Sequence, residues 1–360
     1  MTTTRRGFLA GSAAAAAARA VAGGDARDGL PAWANAQIDA AVARYRAWKG
    51  RDETVAFTFV TDLHSRLASA PARPDFSDPR FHVLFAQAAA DRAGCDFLVD
   101  GGDHDCENGC ASDAEAFARM AVAEGVYRDY AARPVLFCLG NHDRGPALGR
   151  AARPISSARF GEAFNGLAAR HGFAVVFGEN RSWGFYDVPG KRFRAIFCNT
   201  SDGASYGFSK SQLDFVAQAL ATLPPDGTAA VFGHFCVFTE IGHWKKYQTG
   251  CEAKGRAAFM AILEDFARTR PNALAGYFCG DSHFDNEMEL RGVNWTISQG
   301  YGGIDRANKP WGARTVARDR AREMLFELVA VKPAAGAFRL FRVGAGGAAC
   351  DRVCSYFNRP

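Results

Sequence analysis

The 360-residue sequence contains no Pro/Ser-rich linker, no internal repeat and no long run of like charge, so nothing in it marks a seam between two globular units. Beyond its N-terminal stretch it also lacks any apolar run of the about 20 residues that a membrane-spanning helix requires. Excess charge is scarce as well. The formal net charge is +5, and Arg5, Arg6 and Arg19 supply three of those charges with no acid before residue 23, leaving +2 for the remainder. A balance so close to neutral offers no footprint for nucleic acid and points to small-molecule partners. Apolar material is plentiful: 48% of residues are hydrophobic and 22% charged, which excludes a disordered chain and allows a large core.

The first residues read Arg5-Arg6-Gly7-Phe8-Leu9, then an alanine-rich run to Ala18, then small residues at Ala20 and Ala22. That order of charged, apolar and small regions predicts a secretory signal peptide over residues 1–22. The paired arginines resemble the twin-arginine class, which implies a periplasmic or secreted protein. A short N-terminal anchor is the competing reading, but the run is too short to span a bilayer. No cysteine closes the run, which argues against a lipid anchor, so no stable membrane anchor is expected after signal cleavage. The chain has 10 cysteines. Cys138, Cys198, Cys236 and Cys279 lie in strand-like apolar runs and read as small buried hydrophobes. Cys106 with Cys110, and Cys350 with Cys354, form two close pairs open to oxidation in an exported protein; zinc fits them less well, since each lacks a nearby second pair.

After a helix-like segment at 32–48, apolar runs at 55–61, 97–100, 135–139, 229–232 and 274–279 predict buried strands. Helical patterns at 80–93, 114–131, 209–223 and 256–269 alternate with them, the third opened by a Ser209/Gln212 capping box. Residues 183–188 and 193–199 around Pro189-Gly190-Lys191 predict a hairpin, and 294–298, 324–331 and 337–343 predict strands with no helix between them. So many strands exceed one simple open sheet. The expectation is an α/β fold, a four-layer α/β/β/α sandwich of two mixed sheets flanked by helices, spanning residues 54–345. A helical segment at 23–53 precedes it and a tail at 346–360 follows.

The chemistry is carried by what ends those strands. The first closes on Asp62-Leu63-His64, the second on Asp100-Gly101-Gly102-Asp103, the third on Gly140-Asn141-His142-Asp143. Gly233-His234 ends a fourth and Gly280-Asp281-Ser282-His283 a fifth. Strand ends of an α/β sheet gather around ligands, so these side chains can converge on one site. Carboxylate, imidazole and amide oxygen together suit borderline divalent metals such as Mn, Fe or Zn.

In this order the motifs resemble the calcineurin-like metallophosphoesterase family, over roughly residues 54–300. The connecting segments Phe197-Cys198-Asn199-Thr200, Gly207-Phe208-Ser209 and Gln212-Leu213-Asp214 resemble it too. The resemblance implies two divalent metal ions, with Asp62, His64 and His283 on the first, Asp103 bridging, and Asn141 and His234 on the second. It implies His142 as the acid beside the metals, which Asp143 would orient. Arg144 is placed to reach phosphate oxygens, with an exposed arginine after a turn as the equal alternative. His104 and Asp105, after the bridging residue, are candidates for supporting or substrate contacts, with solvated loop positions as the alternative. The family usually carries His-x-His where this chain has Asp281-Ser282-His283. Two arrangements stay open: Asp281 binds the second metal through oxygen and favours Mn or Fe over Zn, or it points elsewhere and leaves that metal weakly held. His82 and His171 read as structural or surface residues, and His243 beside Trp244, Lys245 and Lys246 as a weak substrate-contact candidate, with loop decoration the favoured reading.

The implied activity is hydrolysis of a phosphomonoester or phosphodiester, a small-molecule substrate, by attack of metal-bound hydroxide. The competing class is a non-catalytic protein that captures a phosphoryl ligand on the same fold.

Overall fold

The computed structural model describes residues 30–64, 80–104, 112–144, 155–201, 207–237, 255–300 and 325–354. The predicted leader, Asp105, the Cys106/Cys110 pair and His243 to Lys246 lie outside them. The helices are α1 (Ala32–Lys49), α2 (Arg80–Ala93), α3 (Asp113–Arg128), α4 (Ser157–Phe160), α5 (Gly166–Arg170), α6 (Lys210–Ala221) and α7 (Arg256–Thr269). One sheet is built from β1 (Val55–Val60), β2 (Phe97–Asp100), β3 (Val135–Phe137), β11 (Leu325–Lys332), β12 (Ala337–Gly344) and β13 (Arg352–Cys354). The other comprises β4 (Val175–Phe177), β5 (Gly184–Asp187), β6 (Phe193–Phe197), β7 (Thr228–Phe232), β8 (Leu274–Cys279), β9 (Asn286–Leu290) and β10 (Val293–Ile297).

The first sheet runs β13-β12-β11-β1-β2-β3 and the second β4-β5-β6-β7-β8-β10-β9. Both are mixed: β1, β2 and β3 are parallel, as are β6, β7, β8 and β10, while the remaining pairings are antiparallel. Strand alternation then sorts side chains into three cores. Phe57 and Phe59 of β1 face Phe232 of β7 and Phe278 of β8 between the sheets, whereas Ala56 and Val60 face outward. The outward set packs beneath α1, α2 and α3, and the matching face of the second sheet packs beneath α6 and α7. Helix, sheet, sheet, helix is therefore the observed layering, as the sequence predicted.

Central strands covered on both faces read as unbroken apolar runs, which is why β1, β7 and β8 are legible in the sequence. Phe57 ties the layers together: its ring stacks on Phe97 at 4.9 Å and meets Phe232 edge-on at 5.2 Å and Phe278 at 5.9 Å. Burying a side chain of this size contributes about 1.5–3 kcal/mol. A buried ionic network closes one seam between the sheets. Arg342 Nη2 on β12 donates to Asp285 Oδ2 at 2.7 Å and to Glu327 Oε1 at 2.7 Å, and Arg352 Nη2 on β13 donates to the same Glu327 oxygen at 2.7 Å.

Details differ from the expectation. Ser209 caps α6, accepting from Gln212 N at 3.3 Å, but Gln212 does not return to the cap. Its amide instead brackets Asn199, accepting from Asn199 N at 2.7 Å and donating to Asn199 O at 2.8 Å. The helices α4 and α5, joined by a π-helical turn at Gly161–Asn165, and the strands β4, β9 and β13 have no counterpart in the sequence-based expectation. Cys138, Cys198, Cys236 and Cys279 are buried. No helix among the described residues is long and apolar enough to cross a membrane.

Candidate metal centre

Five strand ends meet at one place. Asp62 and His64 follow β1, Asp103 follows β2, Asn141 and His142 follow β3, His234 follows β7, and Asp281 and His283 follow β8. The chain reaches this point through backbone that L-residues seldom adopt: Asp62, His64, Asp103, Asp281 and His283 have φ of 54°, 45°, 58°, 62° and 58°. Asp62 N donates to Gly102 O at 2.9 Å and His64 N to Asp103 O at 3.0 Å, so the two loops hold each other in this conformation. Gly140 makes room for it. A methyl group on Gly140 would sit 2.1 Å from Asp103 Oδ1 and 2.3 Å from Asp103 N.

The polar atoms form two overlapping groups around Asp103. His64 Nε2 and His283 Nε2 lie 2.9 Å apart, and Asp62 Oδ1 is 3.3 Å from His283 Nε2. On the other side His234 Nε2 is 3.2 Å from Asn141 Oδ1 and 3.6 Å from Asp281 Oδ1. Asp103 Oδ2 touches both groups, 3.7 Å from His64 Nε2 and 3.3 Å from His234 Nε2, and is 3.9 Å from His142 Nε2. The remaining atoms of these side chains are tied back. His234 Nδ1 donates to Gly101 O at 2.8 Å, which leaves Nε2 free for a metal. Asp62 Oδ2 accepts from Thr61 Oγ1 at 2.8 Å and Asp281 N at 3.0 Å, and Asp103 Oδ1 accepts from His142 N at 2.9 Å.

Such a donor set fits divalent metal. Imidazole nitrogens facing one another at hydrogen-bond distance among carboxylates form a ligand cluster, and each of the clusters Asp62/His64/His283 and Asp62/Asp103/His234 could hold one ion. Protons take the place of metal charge in the electrostatics. Burial disfavours the Asp103 carboxylate, but His234, His142 and His64 outweigh it and hold the group well below its ordinary range. Burial also opposes charge on His234 and His283, yet Asp103 beside the first and Asp62 beside the second raise both. Asp281 is pushed up by burial and by the neighbouring Asp103 and Asp62 carboxylates. His64 is lowered, first by burial and then by His283 and His142.

Three expectations are corrected. Asp143 does not orient His142: its Oδ2 accepts from Asp103 N at 2.9 Å and Gly140 N at 2.8 Å, and its Oδ1 from His104 N at 2.7 Å and His104 Nδ1 at 2.9 Å. The carboxylate staples the Asp103 loop instead, while His142 Nδ1 is buried with no partner among the described residues. His104 cannot contact substrate, since it is buried with Nε2 3.0 Å from Asp100 Oδ1 and its ring stacked on Phe164 at 4.9 Å. Arg144 is buried too, and donates to Ser201 O at 2.9 Å and Ile155 O at 3.3 Å rather than standing free as a phosphate arm. Sequence reasoning assigns no role to Asp100, which accepts from Gly102 N at 3.0 Å, from His104 and from Tyr127 Oη. An acid closing an otherwise apolar strand is the signal that could have found it. His82 is buried, as a structural residue would be, and His171 Nε2 donates to the main-chain oxygen of Arg128, 2.9 Å away.

A two-sheet sandwich whose strand ends present a metal-ligating cluster defines the class as a metal-dependent hydrolase fold. The calcineurin-like phosphoesterase family model matches residues 55–285, and the chain belongs to that family. Among solved structures it is similar to a dimetal phosphatase from Danio rerio, at 12% identity and a TM-score of 0.56, covering 84% of this chain and 99% of that one. It is also similar to the purple acid phosphatase PPD1 from yellow lupin (Lupinus luteus) seeds, at 14% identity and a TM-score of 0.49, covering 84% of this chain and 53% of that one. GAP50, the anchor in the inner membrane complex of Plasmodium, aligns at 12% identity and a TM-score of 0.49, covering 85% of this chain and 90% of that one. At such identities the likeness is one of fold. No curated protein matches the chain in sequence.

Proposed function

We propose that the protein is a dinuclear metallophosphoesterase hydrolysing a small-molecule phosphomonoester or phosphodiester. The observation that carries this reading is Asp103 Oδ2, which stands 3.7 Å from His64 Nε2 on one side and 3.3 Å from His234 Nε2 on the other, as a bridging carboxylate would. Asp62, His64 and His283 would hold one divalent ion, and Asn141, His234 and Asp281 the other. Bound there, Mn, Fe or Zn ions would polarise a phosphoryl oxygen and acidify water for attack on phosphorus.

The chain's own residues do the rest. Asp143 and Gly140 fix the Asp103 loop, and Gly101 O fixes the His234 tautomer, so the ligand geometry is set before substrate arrives. His142 stands at the mouth, its side chain 18% exposed, where it reaches the leaving oxygen and protonates it. Export by the twin-arginine route belongs to the same proposal and rests on Arg5-Arg6-Gly7-Phe8-Leu9.

The test is elemental analysis together with hydrolysis of bis-p-nitrophenyl and mono-p-nitrophenyl phosphate by wild type and His142→Ala. Two ions per chain in both proteins, with kcat lower by roughly 10²–10⁴ in the variant, is the expected result. Unchanged turnover removes His142 from the chemistry, and a metal-free, inactive wild type moves the reading to a non-catalytic phosphoryl-ligand binder.

A further inference from the structure

We propose that Asp281 adapts this site to monoanionic phosphodiesters and against dianionic phosphomonoesters, an inference that rests on the phosphoesterase reading above. Asp281 stands against the Asp62/Asp103/His234 group, its carboxylate beside His234. Its Oδ1 lies 3.6 Å from His234 Nε2, the nitrogen that is 3.3 Å from the Asp103 bridge. Its main chain is pinned by donation from N to both oxygens of Asp62, at 3.1 and 3.0 Å, and by φ of 62°. Its Oδ2 is buried with no partner among the described residues, so both oxygens are available to whatever occupies the centre.

The consequence is a matter of charge. Two divalent ions bring four positive charges; Asp62, Asp103 and Asp281 remove three, while Asn141 and the imidazoles remove none. A neutral ligand at position 281 would leave a net charge of two, and Asp281 leaves one. That extra anion repels a substrate in proportion to the substrate's own charge, so the dianionic monoester is penalised twice as strongly as the monoanionic diester. Arg144, the arginine following the His142 motif, does not offset this through the donors it gives to Ser201 O and Ile155 O. One unit charge about 5 Å away changes affinity fourfold in water-like screening and more in a drier site, so the discrimination should reach about tenfold.

The experiment titrates metal-loaded wild type, Asp281→His and Asp281→Asn with two non-hydrolysable probes by calorimetry, with metal content measured on each sample. The probes are phenylphosphonate, above its second ionisation, and methyl(phenyl)phosphinate, a monoanion with no ester bond. Asp281→His keeps a ligand and removes the charge, so a variant that retains both ions should shift the affinity ratio about tenfold toward the dianion. The kcat/KM ratio of bis- over mono-p-nitrophenyl phosphate should fall in parallel. An unchanged ratio in a two-ion variant overturns the inference and leaves the phosphoesterase reading standing. If neither variant keeps its second ion, a wild-type preference for the dianion below about thirtyfold, between the factor of about ten for one net charge and about a hundred for two, supports the inference, and a larger preference overturns it. Wild type that takes up no metal overturns both.

Discussion

Asp143→Asn should be among the most damaging isosteric substitutions near the site, although Asp143 is only 3% exposed and faces away from the ligand cluster. Its two oxygens accept four donors: the Asp103 and Gly140 amides on Oδ2, and the His104 amide and imidazole Nδ1 on Oδ1. An asparagine offers one oxygen, so its NH2 must face two N–H groups that then lose their acceptor. Each buried donor left unsatisfied costs roughly 1–3 kcal/mol, and breaking a buried ion pair costs about 3–5 kcal/mol, so a loss of roughly 4–6 kcal/mol is expected. The pH dependence has a definite sign. His104 and its backing raise the stability of the Asp143 anion, so that contribution is present above the unfolded value of about 3.9 and is lost as pH falls through the depressed folded value. His104 is raised by Asp100 and Asp143 against the effect of burial, so its contribution is full below about 6.5 and is lost as pH rises through the elevated folded value. The deficit of Asp143→Asn should therefore be largest between about pH 4 and 6.5. Urea unfolding of the chelated protein inside that range and on either side of it measures it, with Asp214→Asn as the control. Asp214 pairs with Lys210 at 2.6 Å but is 63% exposed, and its loss should stay within about 0.5 kcal/mol. A deficit below about 1 kcal/mol for Asp143→Asn, or one that does not vary with pH, would refute the reasoning.

Burial opposes protonation of His234 and His283, but Asp103 and Asp62 outweigh it and raise both, so protons compete with metal for those nitrogens. Apparent metal affinity should rise about tenfold per pH unit per displaced proton, with proton release visible in calorimetry performed in buffers of different ionisation heat; a flat profile would contradict the charge arrangement. Gly140→Ala drives a methyl group into Asp103 and should weaken metal binding by at least about tenfold in a competition titration, whereas wild-type affinity would show that the bridge tolerates displacement. Gly125 lies inside α3, and a methyl group added there would meet nothing within 4 Å, so Gly125→Ala should raise unfolding free energy by about 0.5–1 kcal/mol in a denaturant titration.

What the sequence shows and hides follows from strand geometry. Runs such as Phe57 to Val60 announce themselves because both faces are buried, and the hairpin around Gly190, at φ of 74°, because its turn needs glycine. The α4–α5 segment is illegible: Gly161 and Gly166 lower its helix propensity, and its middle turn is π-helical. Strand β9 carries Glu287 and Glu289 on its more exposed face and is too polar to stand out. At the site, sequence proximity suggests that His104 and Asp143 share the role of their neighbours. The chain leaves these strands through a left-handed residue at Asp103 and a 3-10 turn at His142–Arg144, so Asp103 and His142 enter the centre while His104 and Asp143 turn into the core behind it. Motif adjacency therefore identifies the loop but cannot assign each of its residues to a face.

The unusual backbone is concentrated at these same strand-to-loop turns. A left-handed residue costs about 1–2 kcal/mol, and five ligand-type residues adopt that conformation, so the cluster stores strain that no single contact accounts for. The strain is confined by groups that stand outside the ligand set: the Asp143 carboxylate, the Gly102 and Asp103 carbonyls, and the Asp100–His104–Tyr127 set behind them. Rigid support on the core side and open valences on the solvent side are two consequences of one arrangement. If the supporting residues held the fold alone, their loss would lower stability and leave metal affinity intact. Because Asp143 bonds the amide of the bridging Asp103 itself, loss of either property should bring loss of the other.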